Sequence, residues 1–144
     1  MTIVIDSSVA LKWVLNEPES EVALALRGEA LIAPGFWLAE AANALWRHAR
    51  LRQITASEAL ELYDDLADAP ITSLSTEPHI RQALVLGVEI NHPIYDCLYL
   101  ALALHHATEV VTADRRFAGA VARSAHAGRV RLLGAEGRLS LHEP

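Results

Sequence analysis

The sequence predicts one α/β domain, a parallel sheet of about five strands with helices on both faces. Short apolar runs rich in β-branched residues alternate along the chain with longer segments whose apolar residues recur at helical spacing. This alternation is typical of parallel sheets, because a connection between parallel strands needs a crossover segment that is usually a helix. The length of 144 residues, 52% of them hydrophobic, fits a single domain over residues 1–144.

Five segments have the composition of buried strands. The first, TIVID, is apolar and β-branched up to Asp6, and the second, ALIAP, is closed by Pro34. A continuous apolar run is expected where both faces of a sheet are covered. The predicted strands cover residues 2–6, 30–34, 70–75, 109–113 and 129–133.

Seven segments have helical periodicity. Either serine of the run SSV can cap the first, and Pro18 suits the first turn of the second. Thr55 and Glu58 form a capping box at the start of the fourth, and Gly87 is expected to close the fifth. The predicted helices cover residues 7–16, 18–27, 36–51, 55–68, 77–87, 95–107 and 115–126.

Composition excludes several classes of protein. The formal net charge of −6 argues against a protein that coats nucleic acid by charge alone. Cys97 is the only cysteine, so no intramolecular disulfide can form, which fits a reducing cytoplasm. Asp6 interrupts the first apolar run, so no signal peptide is expected, and no apolar stretch approaches the roughly 18 residues of a membrane span. We therefore expect a cytoplasmic protein with no membrane partner.

Four acidic residues stand where a shared site is expected. Asp6 directly follows TIVI and Asp114 directly follows VVTA, so both are expected beyond the carboxyl ends of parallel strands, where such sheets bind ligands. Glu40 lies within FWLAEAANALW, and Asp96 begins an almost wholly apolar helix. We call these residues the four acids. Buried acids need partners, and Lys12 is the only lysine.

A divalent cation is the natural partner for such a cluster. Two like charges about 4 Å apart repel by roughly 4 kcal/mol at an effective dielectric near 20. Four carboxylates held close together should therefore bind a metal ion, because its positive charge relieves their repulsion. Ligands that are all oxygen atoms favour Mg²⁺ or Mn²⁺ over zinc.

Each acid also has a purely structural interpretation. Asp6 and Asp114 could cap the helices that follow them, and Asp96 could interact with the dipole of its helix. Glu40 could be an ordinary solvated helix residue. Its apolar surroundings argue against that, and Asn43, one turn later on the same face, could orient it by a hydrogen bond.

Four segments carry a further pattern: IVIDSSVALKW at 3–13, PGFWLAEAANALW at 34–46, IYDCLYLALA at 94–103 and VVTADRRF at 110–117. In this order and spacing they resemble the motifs of PIN-domain ribonucleases, and most closely those of the VapC-type toxins of bacterial toxin–antitoxin pairs. The resemblance implies that the four acids are both the metal ligands and the catalytic residues. It also implies that Ser8, Asn43 and Thr112 support the site.

The resemblance implies a Mg²⁺-dependent endoribonuclease, with Mn²⁺ able to substitute, that leaves 5′-phosphate and 3′-hydroxyl ends on the RNA. Arg47, Arg115 and Arg116 are candidates for contacts with RNA phosphates. Arg50 and Arg52 fit a solvated helix face better. None of the seven histidines shows zinc-ligand spacing, and we assign no role to them from the sequence.

Two protein partners are implied as well, a cognate antitoxin and a second copy in a homodimer. We expect the antitoxin to bury apolar residues in a groove built from the helices near 8–15 and 36–50. We also expect it to place an arginine or lysine among the four acids. Trp13 and Trp46 could form a further partner surface.

Other functions fit the residues less well. A haloacid-type phosphatase needs a second aspartate where this chain has Ser8, and a phosphorylation-receiver domain needs a late lysine, whereas none follows Lys12. No glycine-rich phosphate loop follows the first strand. The alternative that stays open is a non-catalytic PIN-like module that binds RNA or protein. A metal-dependent cleavage assay separates it from the enzyme.

Overall fold

The computed structural model describes residues 1–134, and it confirms the predicted fold class. Its strands are β1 (Thr2–Ile5), β2 (Ala30–Pro34), β3 (Ile71–Leu74), β4 (Val110–Thr112) and β5 (Val130–Leu132). They form one sheet in the order β3-β2-β1-β4-β5, and every neighbouring pair is parallel. Each strand lies within one residue of its predicted segment at either end.

The two strands at the centre of the sheet are buried on both faces. Ile3, Val4 and Ile5 of β1 are all buried, and so are Val110 and Val111 of β4. Successive side chains of a strand point to opposite faces, so burial of consecutive residues means that both faces are covered. This is why these strands have continuous apolar sequences rather than alternating ones.

Seven α-helices lie within residues 1–134. They are α1 (Ser7–Ala10), α2 (Ser20–Ala25), α3 (Trp37–Arg50), α4 (Ala56–Ala67), α5 (Ile80–Ile90), α6 (Ile94–His105) and α7 (Arg115–Ala122). Short 3-10 turns cover Leu11–Trp13, Leu26–Gly28, Glu77–His79 and Ala127–Arg129. Helix α6 packs on β1, β2 and β4, and its residues 97–103 are all buried. In this part of the chain, no helix combines the length and the apolar character that crossing a bilayer would need.

The capping box at the start of α4 is confirmed. The backbone N–H of Glu58 donates to Thr55 Oγ1, and the backbone N–H of Thr55 donates to Glu58 Oε1, both at 3.0 Å. This pair satisfies two of the amide groups that a helix start leaves without intrahelical acceptors. A local signal of this kind is readable from the sequence because both partners lie within one turn.

Several predicted helix ends are wrong. The helix predicted over 7–16 is only four residues long, since α1 ends at Ala10 and a 3-10 turn follows at Leu11–Trp13. Neither serine of the SSV run caps α1, because Asp6 occupies the N-cap position with extended backbone angles. Helix α2 begins at Ser20 rather than Pro18, since Glu19 adopts the left-handed conformation (φ 70°) and interrupts the helical path. Helix α7 ends at Ala122, where Ser124 Oγ donates to a carbonyl of the last turn and accepts from a following amide.

The sequence suggested that Gly87 closes α5, and this is wrong, because Gly87 lies inside the helix. The helix continues to Ile90 and ends at Asn91, which adopts the left-handed conformation (φ 53°). A Cβ atom at Gly87 would lie 2.9 Å from the carbonyl oxygen of His92 and 3.2 Å from Cγ2 of Ile94. The glycine is therefore needed for the close packing of α5 against the start of α6, rather than for a turn.

This packing gives the first prediction. Gly87→Ala should lower the free energy of unfolding by about 1–3 kcal/mol, because the added methyl group meets backbone that cannot move cheaply. Gly119→Ala in α7 is the matched control. There a Cβ meets only Arg123 Nη1 at 3.5 Å, so alanine should stabilise the helix by about 0.5–1 kcal/mol. Urea unfolding of both variants measures the difference, and equal stability of the two would contradict the packing argument.

Candidate active site

The four acids come from different elements that meet at one edge of the sheet. Asp6 directly follows β1, and Asp114 follows β4 after a single residue. Glu40 lies in the first turn of α3, which comes after β2, and Asp96 lies in the first turn of α6. Strands β1 and β4 are neighbours although β2 and β3 come between them in the sequence. At such a reversal of strand order, open α/β sheets form a crevice beyond the carboxyl ends of the strands.

Asp6 is held by two hydroxyl groups, one from α1 and one from the last residue of β4. Its Oδ2 accepts hydrogen bonds from Ser8 Oγ at 3.0 Å and from Thr112 Oγ1 at 2.5 Å. Ser8 Oγ also accepts from the N–H of Ala113, and Thr112 Oγ1 accepts from the N–H of Asp114. Ser8 and Thr112, both predicted to support the site, therefore link the segments that carry Asp6 and Asp114.

Glu40 is held by a buried tyrosine. Tyr99 Oη donates to Glu40 Oε1 at 2.6 Å, and Ser7 Oγ lies 3.4 Å from both Glu40 Oε1 and Asp6 Oδ1. The residue predicted to orient Glu40 was Asn43. It is exposed, and within residues 1–134 it is not a hydrogen-bond partner of Glu40.

The other two acids also each have a fixed partner. His92 Nε2 and Asp96 Oδ2 are 2.6 Å apart. Asp114 Oδ1 accepts from the backbone N–H groups of Arg116 and Phe117 at 2.9 and 3.2 Å, so Asp114 caps α7. The hydrogen bonds of the helix cap occupy only Oδ1. Asp114 can therefore cap α7 and still present its second oxygen to a ligand.

In three of the acids, one carboxylate oxygen accepts hydrogen bonds and the other accepts none from the described residues. Glu40 Oε2, Asp96 Oδ1 and Asp114 Oδ2 accept no hydrogen bond from any residue in the described part of the chain. A carboxylate oxygen has lone pairs that bind donors or cations. These oxygens are thus available to a ligand while the hydrogen bond to the second oxygen restrains the side chain.

Each acid is electrostatically coupled to another. Burial, followed by the negative charge of Asp96, raises the pKa of Asp6 to about 6 against the hydrogen bonds that lower it. Burial and then the charges of Asp6 and Asp96 raise the pKa of Glu40 to about 7. The pKa of Asp96 is raised by burial and by Asp114. Burial and mutual repulsion therefore destabilise the charged forms of these three acids more than their hydrogen bonds stabilise them.

No closed metal cage is present in the described residues. Across 1–134, no group of three or more His, Cys, Asp or Glu side chains is arranged to hold a metal ion. Structural zinc sites, which use four protein ligands, would require such a cage. The chemistry left to this arrangement is that of hard oxygen donors with incomplete protein coordination.

The arginine candidates lie at the surface. Arg47 is exposed about two turns after Glu40, and Arg115 and Arg116 are exposed in the first turn of α7 beside Asp114. Arg50 lies over the ring of Trp46, with its guanidinium carbon 5.3 Å from the ring centroid. This agrees with the prediction that Arg50 belongs to a helix face rather than to the site.

An apolar groove lies on helices α3 and α4. Its volume is about 500 Å³, and it is lined by Ala42, Leu45, Trp46, Ala49, Ala56, Ala59, Leu60 and Tyr63. The sequence had suggested α3 together with residues 8–15. That pairing stays a prediction. Trp13 itself is partly buried, donates its indole N–H to the carbonyl of Ala23 at 2.7 Å and is covered by Arg27. Trp46 is 54% exposed at the groove.

Sequence reasoning missed His92, Tyr99 and Ser7 as partners of the acids. A signal for Tyr99 existed, since it supplies the only hydroxyl in the run CLYLALAL, and a buried hydroxyl needs an acceptor. His92 stands four residues before Asp96, but lies outside α6. Helical spacing could not have paired these two residues.

Comparisons with known proteins concern the family and the fold of the chain. A family model described as the PIN domain matches residues 3–122. Ribonuclease VapC3 from Pyrobaculum aerophilum is 29% identical over 122 residues, a match that covers 82% of this chain and 93% of that protein. The crystal structure of PAE2754 from Pyrobaculum aerophilum superposes with a TM-score of 0.71 at 21% identity, covering 99% of this chain and 91% of that one. The last comparison supports the fold alone.

The raised pKa of Asp6 predicts how stability depends on pH. The pKa of Asp6 is about 6 in the folded chain, whereas an aspartate in the unfolded chain has its ordinary pKa of 3.8. The folded state therefore binds more protons in this window, and the free energy of unfolding falls as pH rises through it. Asp6→Asn should remove this fall in the free energy of unfolding, because asparagine does not ionise. In EDTA at pH 8 the variant should be more stable than wild type by up to about 3 kcal/mol, and the difference should vanish near pH 4.

The measurement is urea unfolding of metal-free protein from pH 4 to pH 8. The exposed Asp64 offers a matched control, because Asp64→Asn on α4 should leave the profile as in the wild type. An Asp6→Asn variant that is less stable than wild type at pH 8 would contradict the repulsion described above.

Proposed function

The chain belongs to the PIN domain family, and from this we propose that it is a metal-dependent endoribonuclease that acts as the toxin of a toxin–antitoxin pair. The observation that carries the proposal is the group of four coupled carboxylates at the carboxyl edge of the sheet, three of which keep an unoccupied oxygen. The name of the relative Ribonuclease VapC3 supports the same activity class. A non-catalytic module would have no need to maintain this repulsive arrangement.

The proposed cofactor is Mg²⁺, with Mn²⁺ as a substitute. Mg²⁺ keeps several waters and is usually bound through one or two carboxylates rather than by an all-protein cage. The available donors are all carboxylate oxygens. Coordination by one or two of Glu40 Oε2, Asp96 Oδ1 and Asp114 Oδ2, completed by water, would need no cage of three protein ligands. When bound, the ion would lower the pKa of a water ligand and offset charge on the scissile phosphate.

The protein's own residues have complementary tasks in this proposal. Ser8 and Thr112 fix Asp6, and Tyr99 fixes Glu40, so that the carboxylates do not have to reorganise during the reaction. Arg115 and Arg116 lie where they can pair with RNA phosphates beside Asp114. Attack of water on phosphorus with loss of the 3′ oxygen leaves a 5′-phosphate and a 3′-hydroxyl.

The first functional prediction concerns Asp6→Asn. The amide keeps the shape of the side chain but removes its charge, so RNA cleavage with Mg²⁺ should fall by more than about 100-fold, beyond the loss typical of indirect ligand contacts. The same variant should be more stable without metal, which a merely structural residue would not show. Cleavage of a fluorescent RNA is the measurement, with Asp64→Asn as control. Wild-type cleavage rates in the folded Asp6→Asn variant would refute the assignment.

A second prediction concerns the metal itself. Mg²⁺ at 100 times its dissociation constant should raise the free energy of unfolding by about 2.7 kcal/mol, because it binds the folded chain selectively. The Asp6→Asn variant should show a smaller increase, and EDTA should stop cleavage by the wild type. Undiminished cleavage after thorough chelation would remove the metal from the proposal.

The α3–α4 groove is the proposed binding surface of the antitoxin. It is long, apolar and open, so it suits the apolar face of a partner helix. Helix α4 and its C-cap also carry a set of acidic residues: Glu58, Glu61, Asp64, Asp65 and Asp68. This charge favours a basic partner. An arginine or lysine of that partner, reaching the four acids, would compete with the cation for the same oxygens.

A homodimer through α5 is the second proposed assembly. The exposed face of α5 carries large apolar residues: Ile80, Leu84, Val85 and Val88. Arg81 and Glu89 lie four residues to either side of Val85 on one stripe of the helix. In an antiparallel pair across a two-fold axis at Val85, each Arg81 would face Glu89 of the second copy.

The proposed location of the protein is the cytoplasm. This fits RNA as the substrate and a single cysteine without a disulfide partner in the chain.

These two surfaces give a reciprocal prediction. Trp46→Glu places a charge in the groove and should weaken antitoxin binding by at least about 100-fold, as expected for an aromatic anchor, while leaving the dimer intact. Val88→Glu, a similar change on α5, should abolish the dimer and leave antitoxin binding intact. Sedimentation and calorimetric titration measure the two effects. If Trp46→Glu binds the antitoxin as tightly as wild type, the groove assignment is wrong.

A further inference from the structure

His92 lies next to the four acids although no sequence pattern pointed to it. Its Nε2 is 2.6 Å from Asp96 Oδ2, among the shortest side-chain contacts in the described residues. When Asp96 is ionised it can only accept hydrogen bonds, and Nε2 of His92 is then the atom that carries the proton and donates it. The side chain of His92 is 6% exposed, against 24% for Asp96. The bond is thus shielded from water on its histidine side.

The imidazole is fixed by contacts that do not involve the acids. Its ring lies 5.3 Å from the ring of Phe117, centroid to centroid. The backbone of His92 is fixed as well, because its N–H donates to the carbonyl of Gly87 at 3.1 Å and its carbonyl accepts from Cys97 Sγ at 3.8 Å. Asn91, in the left-handed conformation, turns the chain so that these contacts form.

A fixed donor has a definite consequence for Asp96. The two oxygens of a free carboxylate are equivalent, and the side chain of a residue in the first turn of a helix can rotate. The bond from His92 occupies Oδ2 and leaves Oδ1 as the Asp96 oxygen without a hydrogen bond from residues 1–134. Hydrogen bonds of this kind orient metal-binding carboxylates, and their loss typically costs about 10–100-fold in metal affinity.

We propose that His92 is a positioning residue, which holds Asp96 so that Oδ1 is presented to the divalent cation. The inference rests on the proposed function, because it assumes that the four acids bind Mg²⁺ or Mn²⁺. It assigns His92 no contact with the RNA or the ion. Its role is carried by one hydrogen bond, and that makes it separable from the packing of the ring on Phe117.

Two variants separate the hydrogen bond from the packing. His92→Gln keeps a donor, since the amide nitrogen of glutamine can reach the position of imidazole Nε2. His92→Met has a side chain of similar length that cannot donate. In calorimetric titration of the full chain with Mn²⁺, His92→Gln should bind within about 3-fold of wild type, whereas His92→Met should bind about 10–100-fold more weakly. Cleavage by His92→Met should recover as Mn²⁺ is raised, with an unchanged KM for RNA.

The outcomes are distinguishable. Wild-type Mn²⁺ affinity in His92→Met would overturn the inference, and so would an equal loss in both variants, because the ring rather than the bond would then matter. A wild-type chain that binds no Mn²⁺ would overturn the metal part of the proposed function, and the inference with it. A measurement without any variant uses ¹⁵N-labelled histidine in the wild-type protein. It should show a proton on Nε2 of His92, and an unprotonated Nε2 would also overturn the inference.

Discussion

The burial of several carboxylates that also repel one another is the constraint around which this site is organised. Burial raises the pKa values of Asp6, Glu40 and Asp96, and each of these acids is also affected by the charge of another. Such an arrangement is unfavourable for folding unless hydrogen bonds or a cation offset it. The hydroxyls of Ser8 and Thr112 offset part of it for Asp6, and they join the ends of β1 and β4 while doing so.

Helix α6 connects this local repulsion to the stability of the whole domain. Seven consecutive residues of the helix, 97–103, are buried against the sheet. The same helix carries Asp96 in its first turn, and Tyr99, one turn later, donates to Glu40. The geometry of the acids is therefore set by an element that cannot shift without disturbing the core. Functional side chains on rigid elements keep their positions more precisely than side chains on loops do.

The apolar surfaces of the protein lie apart from the strand ends that carry Asp6 and Asp114. A set of large exposed apolar residues lies on α5, and the apolar groove lies between α3 and α4. Neither surface includes residues of β1, β4 or α7. A partner bound in the groove would nevertheless be connected to the acids through α3, because Glu40 lies at the start of that helix and Trp46 near its middle. Occupancy of the groove and occupancy of the site can thus be linked through one rigid helix.

The amino-acid sequence was enough to predict the alternation of strands and helices, the capping box at Thr55 and the place of the four acids beyond the strands. These features depend on periodicity, on partners within one turn, or on the rule that parallel strands end at a common edge. The groups that hold the acids, in contrast, could be recognised only in the folded chain. Tyr99 and Glu40 are 59 positions apart, and Ser8 and Thr112 are 104 apart. Contacts over such separations arise from the packing of whole elements, and no local pattern encodes them.

Gly87 and His92 show the same limit at shorter range. From the sequence, Gly87 has the features of a helix end, and no pattern assigns a role to His92. In the folded chain Gly87 allows α5 to approach the start of α6, and its carbonyl accepts the amide of His92. That approach puts the imidazole beside Asp96. The sequence identified the acids because their chemistry is intrinsic to the residue type, whereas the orientation of each carboxylate depends on neighbours that only folding brings into contact.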